Sequence, residues 1–276
     1  MSNEKLKFEE INNEKLLLKY LMSKAINHKS YKIYTNISRA ENILKTHAFY
    51  LSQGKTWNDI TDRNNLNCKN NKQVNFAICF SYKKSEDVSM WMLYAGKNDG
   101  CMISMKKDLI NDITKTDKIA LGYFKDGDFK PVKTLDKNNF NIVLQDIVYY
   151  KEADKYTYNL KRPGEKANVN FKNIDFLKYF KKKSPWDYEN ECRLVVSIDK
   201  CFVTDKVDTI KIELDQDFIT KNRIKIYKSP IVNDNIIRYE ESNLTGEIDW
   251  DLCYGCKKKS CSDCAHEYIE IITEGK

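Results

Sequence analysis

Residues Ser184 to Val196 read SPWDYENECRLVV, and few stretches of the chain leave the backbone less choice. Pro185 cannot continue a helix from the residues before it. From Glu191 to Leu194 charged and apolar side chains alternate, the period of a strand, and an apolar, β-branched run closes the stretch. If pairing reaches back to Glu189, then Glu189, Glu191 and Arg193 share one face of that strand. Cys192, Leu194 and Val196 share the other, which reads as a core face.

The rest of the chain divides into strand-like and helix-like segments. Strands are predicted at Tyr31–Thr35, Ala48–Ser52, Val74–Tyr82 and Gly100–Lys106, and at DTIKIEL and NRIKIYKSP further on. Apolar positions at helical spacing predict an amphipathic helix over Phe8–Asn27. Further helices are expected at NISRAENILKTH, with Ser38 and Glu41 spaced as a capping box, at DVSMWMLYAG, at Lys106–Lys118 and at Phe171–Lys183. Gln53 to about Lys72 reads as a polar loop, Lys125–Lys137 as a charged loop or hairpin, and Asn139–Tyr150 as either helix or strand. The mixture is α+β. The expected organisation is an N-terminal helix over 1–30, a main α+β domain over 31–247 and a cysteine-rich tail over 248–276.

With 276 residues, 32% of them charged and 41% hydrophobic, the chain has the composition of a globular protein able to bury a core. Its net charge of +7 is modest. The lysines read as ordinary solvated faces, with attraction to the phosphates of RNA, DNA or a nucleotide as the other reading. The N-terminal MSNEKLKFEEINNEK lacks the apolar core of a signal peptide. No apolar run approaches the ~20 residues that span a bilayer. A cytoplasmic location without membrane attachment is therefore expected, and the nine cysteines read as thiols or metal ligands rather than disulfides.

Four of them, Cys253, Cys256, Cys261 and Cys264, stand as C-x2-C-x4-C-x2-C. Each C-x-x-C turns two sulfurs toward one point, and two such knuckles make a tetrahedral thiolate site suited to structural zinc. An iron–sulfur cluster is the alternative occupant. Lys257, Lys258 and Lys259 stand where they offset the excess thiolate charge. No G-x-G-x-x-G or P-loop occurs, and the three histidines have no triad or metal-ligand spacing.

Three passages together, YKIYTNISRAENILKTHAFYLSQ with WND after it, FSYKKSEDVSMWMLYAGKNDGCMI, and KSPWDYENECRLVV, resemble the bacterial family known as domain of unknown function 2971. The specific parts are M-W-x-x-Y-A ahead of a glycine-led strand and W-x-x-E-x-E-x-R. More distantly, the order of YKIYTNISRAENIL, CFS and ENECRLVV is similar to that in ADP-ribosyltransferases that act on nucleic acids. Where those enzymes carry a histidine or arginine on the first strand, this chain has Lys32, Tyr34 or Thr35. That resemblance implies a split-sheet ADP-ribosyltransferase-like architecture and NAD as substrate. It also implies a role as a toxin or phage-defence effector, with RNA or DNA as acceptor and an antitoxin or defence-system partner.

The chemistry gives the glutamates a task. Cleaving the nicotinamide–ribose bond passes through an oxocarbenium-like state. Glu191 would hold the ribose and stabilise the developing charge, and Glu189 would take the proton of the acceptor. Arg193 would bind the pyrophosphate or hold a carboxylate in position. Tyr34, Trp91 and Tyr94 would stack on the rings of the nucleotide, and Thr35 and Ser81 would line its site. The competing reading is structural. Glu189, Glu191 and Arg193 form a salt-bridged ladder on a solvated strand face, and the aromatics are core residues.

Overall fold

The computed structural model describes residues 26, 28–57, 59–66, 72–84, 87–95, 99–151, 157–159, 166–168, 179–215, 223–229, 231–232 and 235–236. In chain order the strands are β1 (Ser30–Asn36), β2 (Ala48–Ser52), β3 (Gln73–Ser81), β4 (Gly100–Lys106), β5 (Lys118–Lys125), β6 (Asp128–Asp136) and β7 (Phe140–Asp146). They continue with β8 (Val148–Lys151), β9 (Thr157–Asn159), β10 (Lys166–Asn168), β11 (Lys181–Lys183), β12 (Glu191–Asp199), β13 (Thr209–Glu213) and β14 (Ile224–Lys228). The helices are α1 (Ile37–Thr46), α2 (Ile60–Leu66), α3 (Val88–Tyr94) and α4 (Lys107–Thr114). Strands dominate and nearly all pair antiparallel, so the class is α+β, as expected. The domain boundary expected at residue 247 and the helix expected over 8–27 fall outside the described residues.

The described residues form two compact units. One, here the β12 unit, takes Tyr50–Cys79 and Asp117–Ile210; the other, the β1 unit, takes His28–Phe49, Phe80–Thr116 and the chain from Lys211.

In the β1 unit, β1 pairs along its full length with β4, and β4 pairs with β14 on its far side. Helix α1 buries Ala40 and Ile43, and α4 buries Leu109, Ile110 and Ile113, against β1 and β4. The capping box expected at Ser38 and Glu41 is not what starts α1. Asn36, still extended at the end of β1, is the N-cap and accepts from the Arg39 N–H at 3.0 Å. Because the last strand residue is itself a good cap, the helix starts earlier than the S-x-x-E spacing indicates.

The β12 unit holds the site. β12 pairs antiparallel with β7, from Cys192 opposite Asp146 to Ile198 opposite Phe140, and with β3 on its other side. Asn139–Tyr150, open between helix and strand, is thus strand on both sides of Ile147, whose N–H donates to the Glu191 carbonyl at 2.9 Å. The charged stretch at Lys125–Lys137 is a hairpin. Asp126 (φ 53°) and Gly127 (φ 83°) make its two-residue turn, the conformation Asp-Gly favours.

In that hairpin Gly122 lies under Phe129. A β-carbon there would meet the Lys130 carbonyl oxygen and stand 2.6 Å from the Phe129 ring. Gly122→Ala is therefore expected to cost about 1–3 kcal/mol, read as a lowered urea midpoint with an unchanged slope. β6 ends the strand order beyond β5. It carries Pro131, Lys130 and Lys133, and its register shifts at Val132, opposite Leu121/Gly122 of β5. These features discourage pairing with another strand.

Two expectations fail here. The polar loop from Gln53 contains α2, started by Asp59, whose carboxylate accepts from the N–H groups of Thr61 (2.7 Å) and Asp62 (3.3 Å). At seven residues α2 is too short to show helical periodicity. The helix expected through Lys183 is also contradicted at its end, because Lys181–Lys183 is strand β11, paired in parallel with β8. Its middle lysine points inward and the two outer ones are half-buried, a strand pattern that three consecutive lysines cannot announce.

Candidate functional site

The strand at the centre of the site starts one step later than alternation allows. Glu189 ends a 3-10 helix over Ser184–Glu189, and Asn190 turns left-handed (φ 45°, ψ 56°) before β12 begins at Glu191. Glu189 therefore does not share the strand face by alternation. It reaches the same place from the preceding turn.

Cys192, Leu194 and Val196 form the core face as expected, and Ile198 extends it, all buried. The opposite face is not solvated. Arg193 is 0% exposed, Asp62 2%, Glu189 and Glu191 3%, and Lys182 7%. The ladder reading is therefore half right: the ion pairs are there, but water is not.

Arg193 is the hub. Its Nη1 and Nη2 bind both oxygens of Asp62 at 3.1 and 2.8 Å, and its Nε donates to Glu191 Oε1 at 2.8 Å. Nη1 also donates to the Tyr179 carbonyl at 2.9 Å, and the Trp57 ring lies 5.0 Å from the guanidinium. Of the two tasks open to Arg193, the structure shows it holding carboxylates.

Lys182 is the second cation. Its ammonium lies 2.6 Å from Glu189 Oε2, 3.3 Å from Glu191 Oε2 and 3.6 Å from Asp62 Oδ2, with the Trp186 ring at 4.7 Å. An apolar cluster of Ala77, Ile147, Tyr149, Phe180 and Val195 adjoins these charges, with Trp57 and Trp186 packed on it. The Glu191 N–H donates to the Tyr149 hydroxyl at 2.9 Å, which fixes the head of β12. Ser197 donates to Asn75 (2.7 Å), and Asn75 donates to the Tyr179 hydroxyl (2.9 Å).

Three carboxylates against two cations leave the described cluster one net negative charge. Burial by itself raises the pKa of Glu191. The neighbouring charges of Arg193 and Lys182, helped by a hydrogen bond from Cys79, overcome it and bring the group down to about 2. Burial works against the charge on Lys182, but Glu191, Glu189 and Asp62 outweigh it and raise its pKa above the ordinary lysine range. The Cys79 thiol is pushed up, by burial first and by Glu191 second, so it stays protonated.

The other candidate residues lie in the β1 unit. Tyr34 and Trp91 are buried edge to face, ring centres 5.0 Å apart at 89°. Trp91 is thus a core residue of that unit, and Tyr94, one turn on, is half-buried. Lys32, buried, stands opposite both Ser81 and Ser104 on the face that also carries Tyr34, while Thr35 alternates to the other face. Cys253, Cys256, Cys261 and Cys264 lie outside the described residues.

The sequence pattern singles out neither Asp62 nor Lys182. Nothing there marks Asp62, which is 131 positions from Arg193. The only trace of Lys182 is a lysine run ahead of Pro185. Among the described residues no helix is long and apolar enough to cross a membrane. No curated protein and no solved structure matches the chain. Residues 90–194, which carry both the W-x-x-Y-A and the W-x-x-E-x-E-x-R motifs, match the family described as protein of unknown function DUF2971, and that is the family the chain resembles.

Proposed function

We propose that the protein cleaves NAD at the nicotinamide–ribose bond, passing ADP-ribose to a nucleic-acid acceptor or to water, as a cytoplasmic toxin or phage-defence effector. The observation that supports this reading most is the convergence of Asp62, Glu189 and Glu191 on a single cationic position with, among the described residues, one negative charge in excess. A site of that charge, shielded from water, favours a developing positive charge. Glu191, ionised throughout the physiological range, would stabilise that charge, and Glu189 would take the proton of the acceptor. The split-sheet ADP-ribosyltransferase architecture belongs to the same proposal.

The test is nicotinamide release from NAD by the purified chain. Glu191→Gln is expected to abolish it. Because Glu191 is also part of a buried network, the rate must be compared per folded molecule, with the fold followed by circular dichroism. Full activity in the folded variant would remove the catalytic role.

A second reading is favoured by a different observation. Both oxygens of Glu191 already meet a cation and Arg193 is bound on three sides, as befits a staple between chain segments. The protein would then be a non-catalytic nucleic-acid-binding or interaction module using its lysines and the cysteine knuckle. A salt-sensitive shift of RNA or DNA with no NAD turnover would decide for it.

For the tail, we propose structural zinc on Cys253, Cys256, Cys261 and Cys264. Elemental analysis of protein purified without chelator should find about one zinc per chain, and Cys256→Ser or Cys261→Ser should lose it while the main core still melts cooperatively. Four freely titratable thiols in metal-free protein would refute the site.

A further inference from the structure

We infer that Gln145 is a ligand contact, its side-chain amide kept to donate to a neutral carbonyl oxygen, that of a carboxamide on a flat ring. Taking that ring to be the nicotinamide of NAD rests on the NAD reading; the unpaired donor itself does not.

Strand β7 places this residue. Its alternation puts Ile142, Leu144 and Asp146 on the face of Cys192, Leu194 and Val196, and Val143 and Gln145 on the other face with Arg193 and Val195. Gln145 stands directly opposite Arg193, where facing side chains are close enough to meet. It is 5% exposed, and its Nε2 is buried without a hydrogen-bond partner among the described residues. A buried donor left without an acceptor costs stability, and folded chains keep few of them. An apolar side chain would fill the position without stranding a polar group. A local rule broken in this way, beside a candidate site, points to a partner that arrives from outside.

The neighbours select that partner. Arg193, the cation facing Gln145, has no nitrogen to spare. Its Nε donates to Glu191, its Nη1 to Asp62 and the Tyr179 carbonyl, and its Nη2 lies 2.8 Å from both Asp62 Oδ2 and Glu191 Oε1. A carboxylate brought here would be buried without a counter-charge of its own, which is costly. A neutral carbonyl oxygen takes the one hydrogen bond Gln145 offers and needs no cation. Trp57, Tyr179 and Trp186, all half-buried, pack with Val143 on the apolar cluster of the same unit. Such aromatic surfaces favour a flat ring as the body of the ligand.

The experiment titrates isotope-labelled full-length wild-type protein with nicotinamide and with β-picoline, which keeps the pyridine ring and replaces the carboxamide by a methyl group. Nicotinamide should move the Gln145 side-chain amide resonance saturably and bind about tenfold more tightly than β-picoline, the worth of one hydrogen bond. The resonance is identified by its loss in Gln145→Met. In that variant the preference for nicotinamide should vanish, while the urea midpoint stays at or above the wild-type value because the stranded donor is gone. A Gln145 resonance that does not respond to nicotinamide, or a preference that survives in Gln145→Met, would overturn the inference. A lowered urea midpoint in Gln145→Met would do so too, since the amide would then be satisfied in the free protein by an internal water. Nicotinamide bound through Gln145 with no release of nicotinamide from NAD would remove the cleavage reading and leave the contact. Release from NAD by Gln145→Met at the wild-type kcat/KM would overturn the contact and leave cleavage.

Discussion

Arg193→Ala is expected to destabilise the protein by about 3–5 kcal/mol, the range for removing one partner of a buried ionic network. The guanidinium is fully buried and joins three parts of the chain: Asp62 on α2, Glu191 at the head of β12, and the Tyr179 carbonyl ahead of β11. Without it, two carboxylates lose their nearest cation in a place water does not reach, and the Trp57 ring loses the surface it covers. Total stabilities of about 5–15 kcal/mol mean that such a loss takes a large share of the whole. Urea unfolding followed by tryptophan fluorescence measures it. Pairing the change with Asp62→Asn should recover part of the loss, because the amide removes one of the stranded charges. An Arg193→Ala protein within about 1 kcal/mol of wild type would mean that the network behaves as a solvated surface ladder.

Acid should undo the same network. Glu191 has a folded-state pKa of about 2 against an ordinary value of 4.5. A group whose pKa is lowered by folding adds stability that is complete above its unfolded value and lost as pH falls toward the folded one. The window is therefore from about pH 5 down to about pH 2, and the stabilisation at stake is about 3 kcal/mol. Measured stability should fall steeply across that window in wild-type protein. In Glu191→Gln the curve should start lower and be flatter, since the titrating group is gone. Parallel curves for the two proteins would show that Glu191 titrates normally in the folded chain.

Much of the frame around this network is legible along the chain. Strands β1, β2, β3 and β4 and the short helix α3 stand close to where alternation and helical spacing put them. Their signals are local, a run of apolar residues or a Trp and Tyr one turn apart. The core face of β12 is legible for the same reason: Cys192, Leu194 and Val196 occupy every second position and all three are buried. The hairpin at Asp126-Gly127 had a local signature too, a two-residue turn dipeptide within charged text.

Where the structure departs from the sequence pattern, the deciding contact is distant in sequence. Lys181–Lys183 looked like the end of a helix because lysine tolerates helices well; pairing with Val148–Tyr150 made it a strand. Glu189 belongs with Glu191 through Lys182, not through strand alternation.

By itself the sequence determined that Glu191 and Arg193 would share one face at the head of an apolar strand, because period-two alternation is a property of the backbone and needs no partner. Only the tertiary structure decided that this charged face is buried. Burial depends on what covers a face, and the cover comes from elsewhere in the chain: Asp62 and Trp57 from one segment, Lys182 and Trp186 from another. Without those counter-charges the same residues would have to face water, since an unpaired buried charge is too costly to keep.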